Sequence, residues 1–291
     1  METQGKIYSK KIFNTGSCLS KKSELMRYAL KFGYHGKNFF GYARQPGLRT
    51  VEEEIVKALK KTTMIVDEKD ANFQTASRTD KGVSACGNVL AFNTDFRGDE
   101  ILSALNANLE EIWFYGIKEV ESPFNPRHAM ERWYKYYLFE EGMDLKSLEE
   151  YAKIFLGMHD FSNFARIEEG KNPARTIETI EISKENEFII IDFKAQSFLW
   201  QMVRRIVKAM MDAVQGKLPF NDLKNALNGK QKVDFGVAPP EPLILMDVKY
   251  DFEFKLDRIK LKDLERILKK DVHRVHIEEI FYDHMLSIIE G

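Results

Sequence analysis

The run Ser77-Arg78-Thr79-Asp80-Lys81-Gly82-Val83-Ser84-Ala85 places one carboxylate between two cations at what reads as a tight turn. Flanking Arg78 and Lys81 are expected to favour the ionised form of Asp80, and an ionised carboxylate is a competent nucleophile toward a sugar or an activated base. Gly82 lets the backbone turn sharply and lets a ligand approach closely. Asp-Lys-Gly is also an ordinary turn sequence in which the Asp only stabilises the bend. Residue types and spacing leave both roles open.

Other groups are weaker candidates. Trp133, Tyr134, Tyr136 and Tyr137 crowd one segment, and aromatics are simply good strand residues. Arg204 follows a stripe of Leu199, Met202, Val203, Ile206, Val207 and Met210 but lies beyond its edge, so helical spacing does not decide which way it faces. His159-Asp160 fits a local packing role. His273, His276 and Glu279 share a helical face in charged surroundings, which reads as a solvated helix and not a metal site. Cys18 and Cys86 are too few for a disulfide framework and lack metal-ligand spacing.

The elements that must position these groups follow from periodicity. Residues 26–34 alternate as a half-buried strand. A Gly-punctuated loop follows, and then Thr50 and Glu53 form a capping box for a helix with Val51, Ile55, Val56 and Leu59 as its stripe. Strands are expected over 72–79, 88–93 and 112–119, with a helix over 99–107. A second unit of similar order starts near Pro123, with strands over 132–140, 174–183, 187–194 and 243–250 and helices over 145–156 and 198–214. This order predicts an α+β fold with helices on one face of a mainly antiparallel sheet, and hints at internal duplication. The divisions expected are a polar extension (1–24), a unit carrying Asp80 (25–121), a second unit (122–252) and a helical tail (253–291).

Composition narrows the classes. The chain has 291 residues with 44 Lys and Arg against 45 Asp and Glu, so any surface for nucleic acid must be a local basic patch. No apolar run is long enough to span a bilayer. The first 25 residues lack a secretion signal and only faintly resemble a transit peptide, so the cytoplasm is expected.

Arg78-Thr79-Asp80-Lys81-Gly82-Val83-Ser84-Ala85 resembles the signature of TruA-type tRNA pseudouridine synthases, in the form found in archaeal and eukaryotic members. Further blocks agree in order. Phe39 through Pro46 with Arg49 through Glu52 resembles the family's first motif, and Phe124 through Arg127 with Arg132 through Tyr136 its aromatic strand. Gly157 through Phe164, Phe198 through Arg204, and Ala238 through Pro240 with Leu243 resemble the later ones. His35, Tyr42 and Ala43 depart from the Asp, Trp and Gln common in the first motif, away from the carboxylate.

The resemblance implies the pseudouridine synthase fold: two related α/β-sandwich subdomains sharing an extended mixed sheet, with a central RNA-binding cleft. It implies isomerisation of uridine in tRNA, most commonly at positions 38–40 of the anticodon stem-loop. Asp80 is then the nucleophile, Tyr134 the aromatic face for the extruded base with a part in removing the C5 proton, and Arg204 the partner of Asp80. Isomerisation needs no cofactor, and no metal is implied. Arg78 contacts RNA beside the target, and Arg44, Arg49, Lys81, Arg132, Lys135 and Arg205 are further RNA-binding candidates, with Lys37, Arg127 and Lys208. Many relatives are homodimers. Two rivals are a silent tRNA-binding protein of the same fold and an N-glycosidic hydrolase that releases free base.

Overall fold

The computed structural model describes residues 25–139, 142–229, 232–256 and 258–290; the polar extension expected over 1–24 lies outside them. The strands are β1 (Met26–Tyr34), β2 (Gln74–Thr75), β3 (Ser84–Thr94), β4 (Ile112–Val120), β5 (Glu131–Phe139), β6 (Gly157–Asp160), β7 (Ala174–Ile177), β8 (Thr179–Glu185), β9 (Phe188–Ala195), β10 (Leu243–Lys249) and β11 (Lys255–Leu256). The α-helices are α1 (Val51–Lys61), α2 (Gly98–Asn106), α3 (Leu145–Lys153), α4 (Met202–Val214), α5 (Phe220–Leu227) and α6 (Arg258–Glu290).

One nine-stranded sheet runs in the order β11-β4-β1-β3-β10-β5-β9-β8, with β2 beside β3; β6 and β7 form a separate pair. Its pairings are antiparallel except that of β3 with β10, registered at Ser84↔Ile244 and Ala85↔Leu245. Residues paired across neighbouring strands point to the same face. One such row is Ile112, Tyr34, Ala85, Leu245, Tyr134 and Phe193, all buried. The adjacent row, Ser84, Ile244, Lys135, Asp192 and Glu181, is polar or partly exposed. The first row shares a single core with Ile55 of α1, Leu105 of α2, Leu148 of α3, Ile206 of α4 and Leu223 of α5. Helices therefore cover one face, and Tyr134 lies beneath them.

Several boundaries differ from expectation. The strand expected over 72–79 pairs only at Gln74 and Thr75, because the chain beyond Ala76 turns to other partners. The Asn88 side chain takes the Ser77 carbonyl (3.0 Å), and the Tyr42 N–H takes that of Thr79 (3.0 Å). α4 starts at Met202 and not 198, since Gln201 sits in the left-handed region (φ 61°). The hairpin expected over 174–194 is split, β7 pairing with β6 and only β8 with β9. At α1, Thr50 Oγ1 accepts from the Glu53 N–H (3.4 Å), while the Glu53 carboxylate pairs with Lys57 (3.3 Å). α5 was not expected, although Leu223, Ala226 and Leu227 after Pro219 have helical spacing.

Candidate active site

Asp80 sits in the loop between β2 and β3, against the seam where β3 meets β10. The Val83 N–H donates to the Asp80 carbonyl (3.2 Å), and Gly82 adopts φ +86°, which suits glycine. Buried Thr79 bonds through its hydroxyl to that of Tyr34 (2.8 Å). The 36–42 loop presses on the same turn. A Cβ on Gly36 would stand 2.7 Å from the Gly82 carbonyl carbon and closer still to the Val83 carbonyl. The turn is thus gripped by backbone on one side and by a buried side chain beneath.

The carboxylate reaches across to the other end of the chain. Arg204 Nη1 donates to Asp80 Oδ2 (2.5 Å), and Trp200 Nε1 donates to Oδ1 (2.8 Å). Arg204 is itself fixed, its Nε donating to the Ala238 carbonyl (2.8 Å) while the Ala238 N–H returns to the Arg204 carbonyl (3.2 Å). The pair is largely sheltered, with side-chain exposures of 11% for Arg204 and 18% for Asp80. Shielding from water strengthens the attraction and makes removal of either partner costly. Both donors come from the first turn of α4 and the residue before its cap, the end where free N–H groups favour a nearby anion.

Sequence reasoning named Arg204 but not Trp200. No local pattern pointed to it, since left-handed Gln201 separates Trp200 from the helix that carries Arg204. Arg166, also missed, places its guanidinium 4.3 Å from the centroid of the Trp200 ring and donates its backbone N–H to the Trp200 carbonyl (2.8 Å).

Tyr134 is 8% exposed and meets the Phe198 ring edge-on, with centroids 5.2 Å apart. Burial raises its pKa, nearby Arg132 and the Ser77 hydroxyl oppose that rise, and the Asp80 charge adds to it. The phenol is therefore held neutral beside an anion.

The cations divide into those near the turn and those spent elsewhere. Arg78 is exposed just before Asp80, and exposed Lys81 lies over the Phe40 ring at 4.3 Å. Arg44 pairs with Glu68 (2.5 Å), Arg49 with Glu111 (2.9 Å) and Arg205 with Asp234 (2.7 Å). Lys208 pairs with Asp212 (2.5 Å), while Lys37 and Arg127 are exposed.

Two further candidates sit away from the exposed cations of the turn. Arg132 is 6% exposed, and its guanidinium donates to Ser77 Oγ (3.0 Å) and to the carbonyls of Ala76 (2.9 Å), Arg127 (3.0 Å) and Gln196. Four of its five N–H groups thereby tie strands together. Lys135 is one residue from Tyr134 on a strand, so it lies on the opposite face of the sheet, 3.7 Å from Asp192.

His159 bonds to the Leu156 carbonyl (2.8 Å) and Asp160 caps Ser162 (2.8 Å), both local contacts. Among the described residues, no group of three or more His, Cys, Asp or Glu is placed to hold a metal ion, and no helix is long and apolar enough to cross a membrane. The hollow along α6 is lined by Lys262, Glu265, Arg266, Lys269, Lys270 and His273, none of which belongs to the Asp80 site.

The sequence is also similar to that of known proteins. A family model described as tRNA pseudouridine synthase matches residues 151–251, the stretch carrying Trp200 and Arg204. The tRNA pseudouridine synthase A of Thermococcus sibiricus is 46% identical over 253 residues, covering 84% of this chain and 94% of the relative. That of Pyrococcus furiosus is 42% identical over 267 residues, covering 90% and 98%. The solved structure of a Cbf5-Nop10-Gar1 complex aligns at 10% identity with a TM-score of 0.32, over 63% of this chain and 44% of that one, too distant a likeness to bear on the fold. Relatives this similar over most of both lengths place the chain in the tRNA pseudouridine synthase A family, isomerases that act on RNA.

Proposed function

We propose that Asp80 is the nucleophile that opens the isomerisation of uridine to pseudouridine, and that the target uridine lies in the anticodon stem-loop of tRNA. The supporting observation is the carboxylate itself. It projects from a turn in the 25–121 unit and is held at both oxygens by Trp200 and Arg204 of the 122–252 unit, with neutral Tyr134 nearby. The two halves of the chain each supply part of one site in this reading.

In the reaction the bond between ribose C1′ and uracil N1 breaks, and a bond from C1′ to C5 forms. C5 loses a proton and N1 gains one, so electrons balance without an oxidant or reductant. Attack at C1′ or at the base begins from the same carboxylate. Arg204 pairs with that carboxylate and aims it. Tyr134, held as a phenol, takes the C5 proton as it passes its own to Asp80, which substrate has by then released, and Asp80 gives a proton up to N1, so that both side chains end as they began. The uridine leaves its stack to enter the site. Arg78 and Lys81 meet the flanking backbone, and binding then weakens with added salt.

Unmodified tRNA transcript incubated with the protein, followed by base-specific chemical labelling and primer extension, tests this reading. Pseudouridine should appear in the anticodon stem-loop with the wild type and be absent with Asp80→Asn. Product persisting in Asp80→Asn removes the nucleophile, and free uracil in the mixture indicates a hydrolase. Tight binding without product indicates a silent binder. Modification confined to another arm rejects the proposed target. Cytoplasmic residence and a homodimer belong to the same reading, and light scattering of the purified chain tests the latter.

A further inference from the structure

Asp80 has a donor on each oxygen, yet the two donors differ in kind. Arg204 is sheltered and tied to the Ala238 carbonyl. Trp200 gives its N–H to Oδ1 at 2.8 Å while 45% of the residue stays exposed. The Arg166 guanidinium covers one face of the indole at 4.3 Å, so the exposure belongs to the other face and the rim. Backbone contacts hold the ring in place: the Trp200 carbonyl accepts from Arg166 N–H (2.8 Å), and the Leu199 carbonyl from Met202 N–H (3.1 Å). Gln201, between them, adopts φ 61° and ψ 6°, a left-handed conformation that a residue with a Cβ seldom takes without a reason.

We infer that Trp200 orients Asp80 through its indole N–H and offers its open face as a second stacking surface for the extruded uracil, in addition to the Tyr134 face that the family resemblance implies, an inference that rests on Asp80 being the nucleophile. A single hydrogen bond occupies one lone pair of Oδ1 and leaves another for attack. Donors on both oxygens stop the carboxylate from rotating, so the free lone pair keeps one direction. A base stacked on the indole lies one van der Waals layer, about 3.5 Å, from the ring plane, and its edge comes within near-attack range of a carboxylate bonded to the ring's rim. Every base has a π-face, so such a platform holds uracil without reading its identity.

Two substitutions separate the roles in steady-state assays on unmodified tRNA transcript. Trp200→Phe keeps a ring and removes the N–H; it should lower kcat roughly 10- to 100-fold with KM changed less than about twofold. Trp200→Leu removes ring and donor together, and should also raise KM by about tenfold. A wild-type kcat in Trp200→Phe overturns the orienting role, and a KM in Trp200→Leu equal to that of Trp200→Phe overturns the platform. Asp80→Asn in parallel separates the two levels. Activity in Asp80→Asn sinks the nucleophile, whereas a dead Asp80→Asn beside an unimpaired Trp200→Phe sinks only the present inference. If Trp200→Leu fails to fold, a second readout remains. With Trp113 and Trp133 replaced by Phe, Trp200 is the sole tryptophan, and its fluorescence should be quenched by saturating tRNA. Unchanged emission overturns the platform.

Discussion

Gly36→Ala should damage catalysis from a position that touches no substrate. Gly36 packs its Cα against the turn that carries Asp80, and its N–H donates to Ser84 Oγ at 3.0 Å. The new methyl would stand 2.7 Å from the Gly82 carbonyl carbon, where ordinary contact begins near 3.4 Å, so the turn must retreat by at least about 0.7 Å. The obstructing atoms are backbone, which cannot rotate aside as a side-chain tip would. Overpacking of this kind costs about 1–3 kcal/mol, or roughly 2–5 °C in Tm for a chain of this size. Displacing a reacting group by about 1 Å costs up to ~10²-fold in rate. A thermal melt and a pseudouridine formation assay on the same preparation measure both effects. Gly47→Ala is the control: its φ of +74° makes alanine strained, but nothing lies within 4 Å of the new atom. That variant should lose about 1 kcal/mol of stability with kcat unchanged. Wild-type Tm and kcat in Gly36→Ala, or an equal loss of kcat in Gly47→Ala, would refute the reasoning.

Arg204→Met leaves a sheltered carboxylate unpaired and should cost about 3 kcal/mol in urea unfolding; adding Asp80→Asn should recover at least ~1 kcal/mol of it, and strict additivity would show that the pair is not coupled. Arg132→Met strands four acceptors and should lower stability by about 3–5 kcal/mol, while the slope of log Kd for tRNA against log salt stays at the wild-type value; a slope reduced by about one would restore Arg132 as a phosphate contact. Burial pushes the Tyr136 hydroxyl up from 10.0 to about 12. The unfolded chain then loses that proton first, so the stability it gives is full below pH 10 and is lost as pH rises toward 12. Urea midpoints should fall over that window in the wild type and fall less in Tyr136→Phe, and parallel declines would contradict the assignment.

Most elements were legible because their periodicity survives in the structure: β1, β4, β5, β9 and α1 fall within a residue or two of where alternation or a helical stripe puts them. Errors cluster where side chains or loops capture backbone groups that a strand or helix would otherwise use. Ser77 and Thr79 give their carbonyls to Asn88 and Tyr42, ending β2 early, and left-handed Gln201 delays α4. Asp80, Tyr134 and Arg204 were named through family likeness, since turn chemistry, strand aromatics and helical spacing each left their roles open. The surroundings of Arg132 and Lys135 were not legible because a sequence records charge but not which way a strand residue points. Trp200 escaped notice because its contact with Asp80 spans 120 positions, and nothing local announces it.

The placement of β10 sets the order in which this molecule can come into being. β10, close to the end of the sheet-forming chain, is inserted between β3 and β5, in the middle. A ribosome that has delivered only the first 242 residues has therefore made two half-sheets with raw edges facing each other, and such edges invite pairing with the wrong strand. Once β10 slots in, both edges vanish together and Asp80 can be locked against the start of α4. Contacts of this span are slow to form. A chain cut short before Leu243 would still carry Asp80, Trp200 and Arg204, but the edges of β3 and β5 that β10 joins would be left without it.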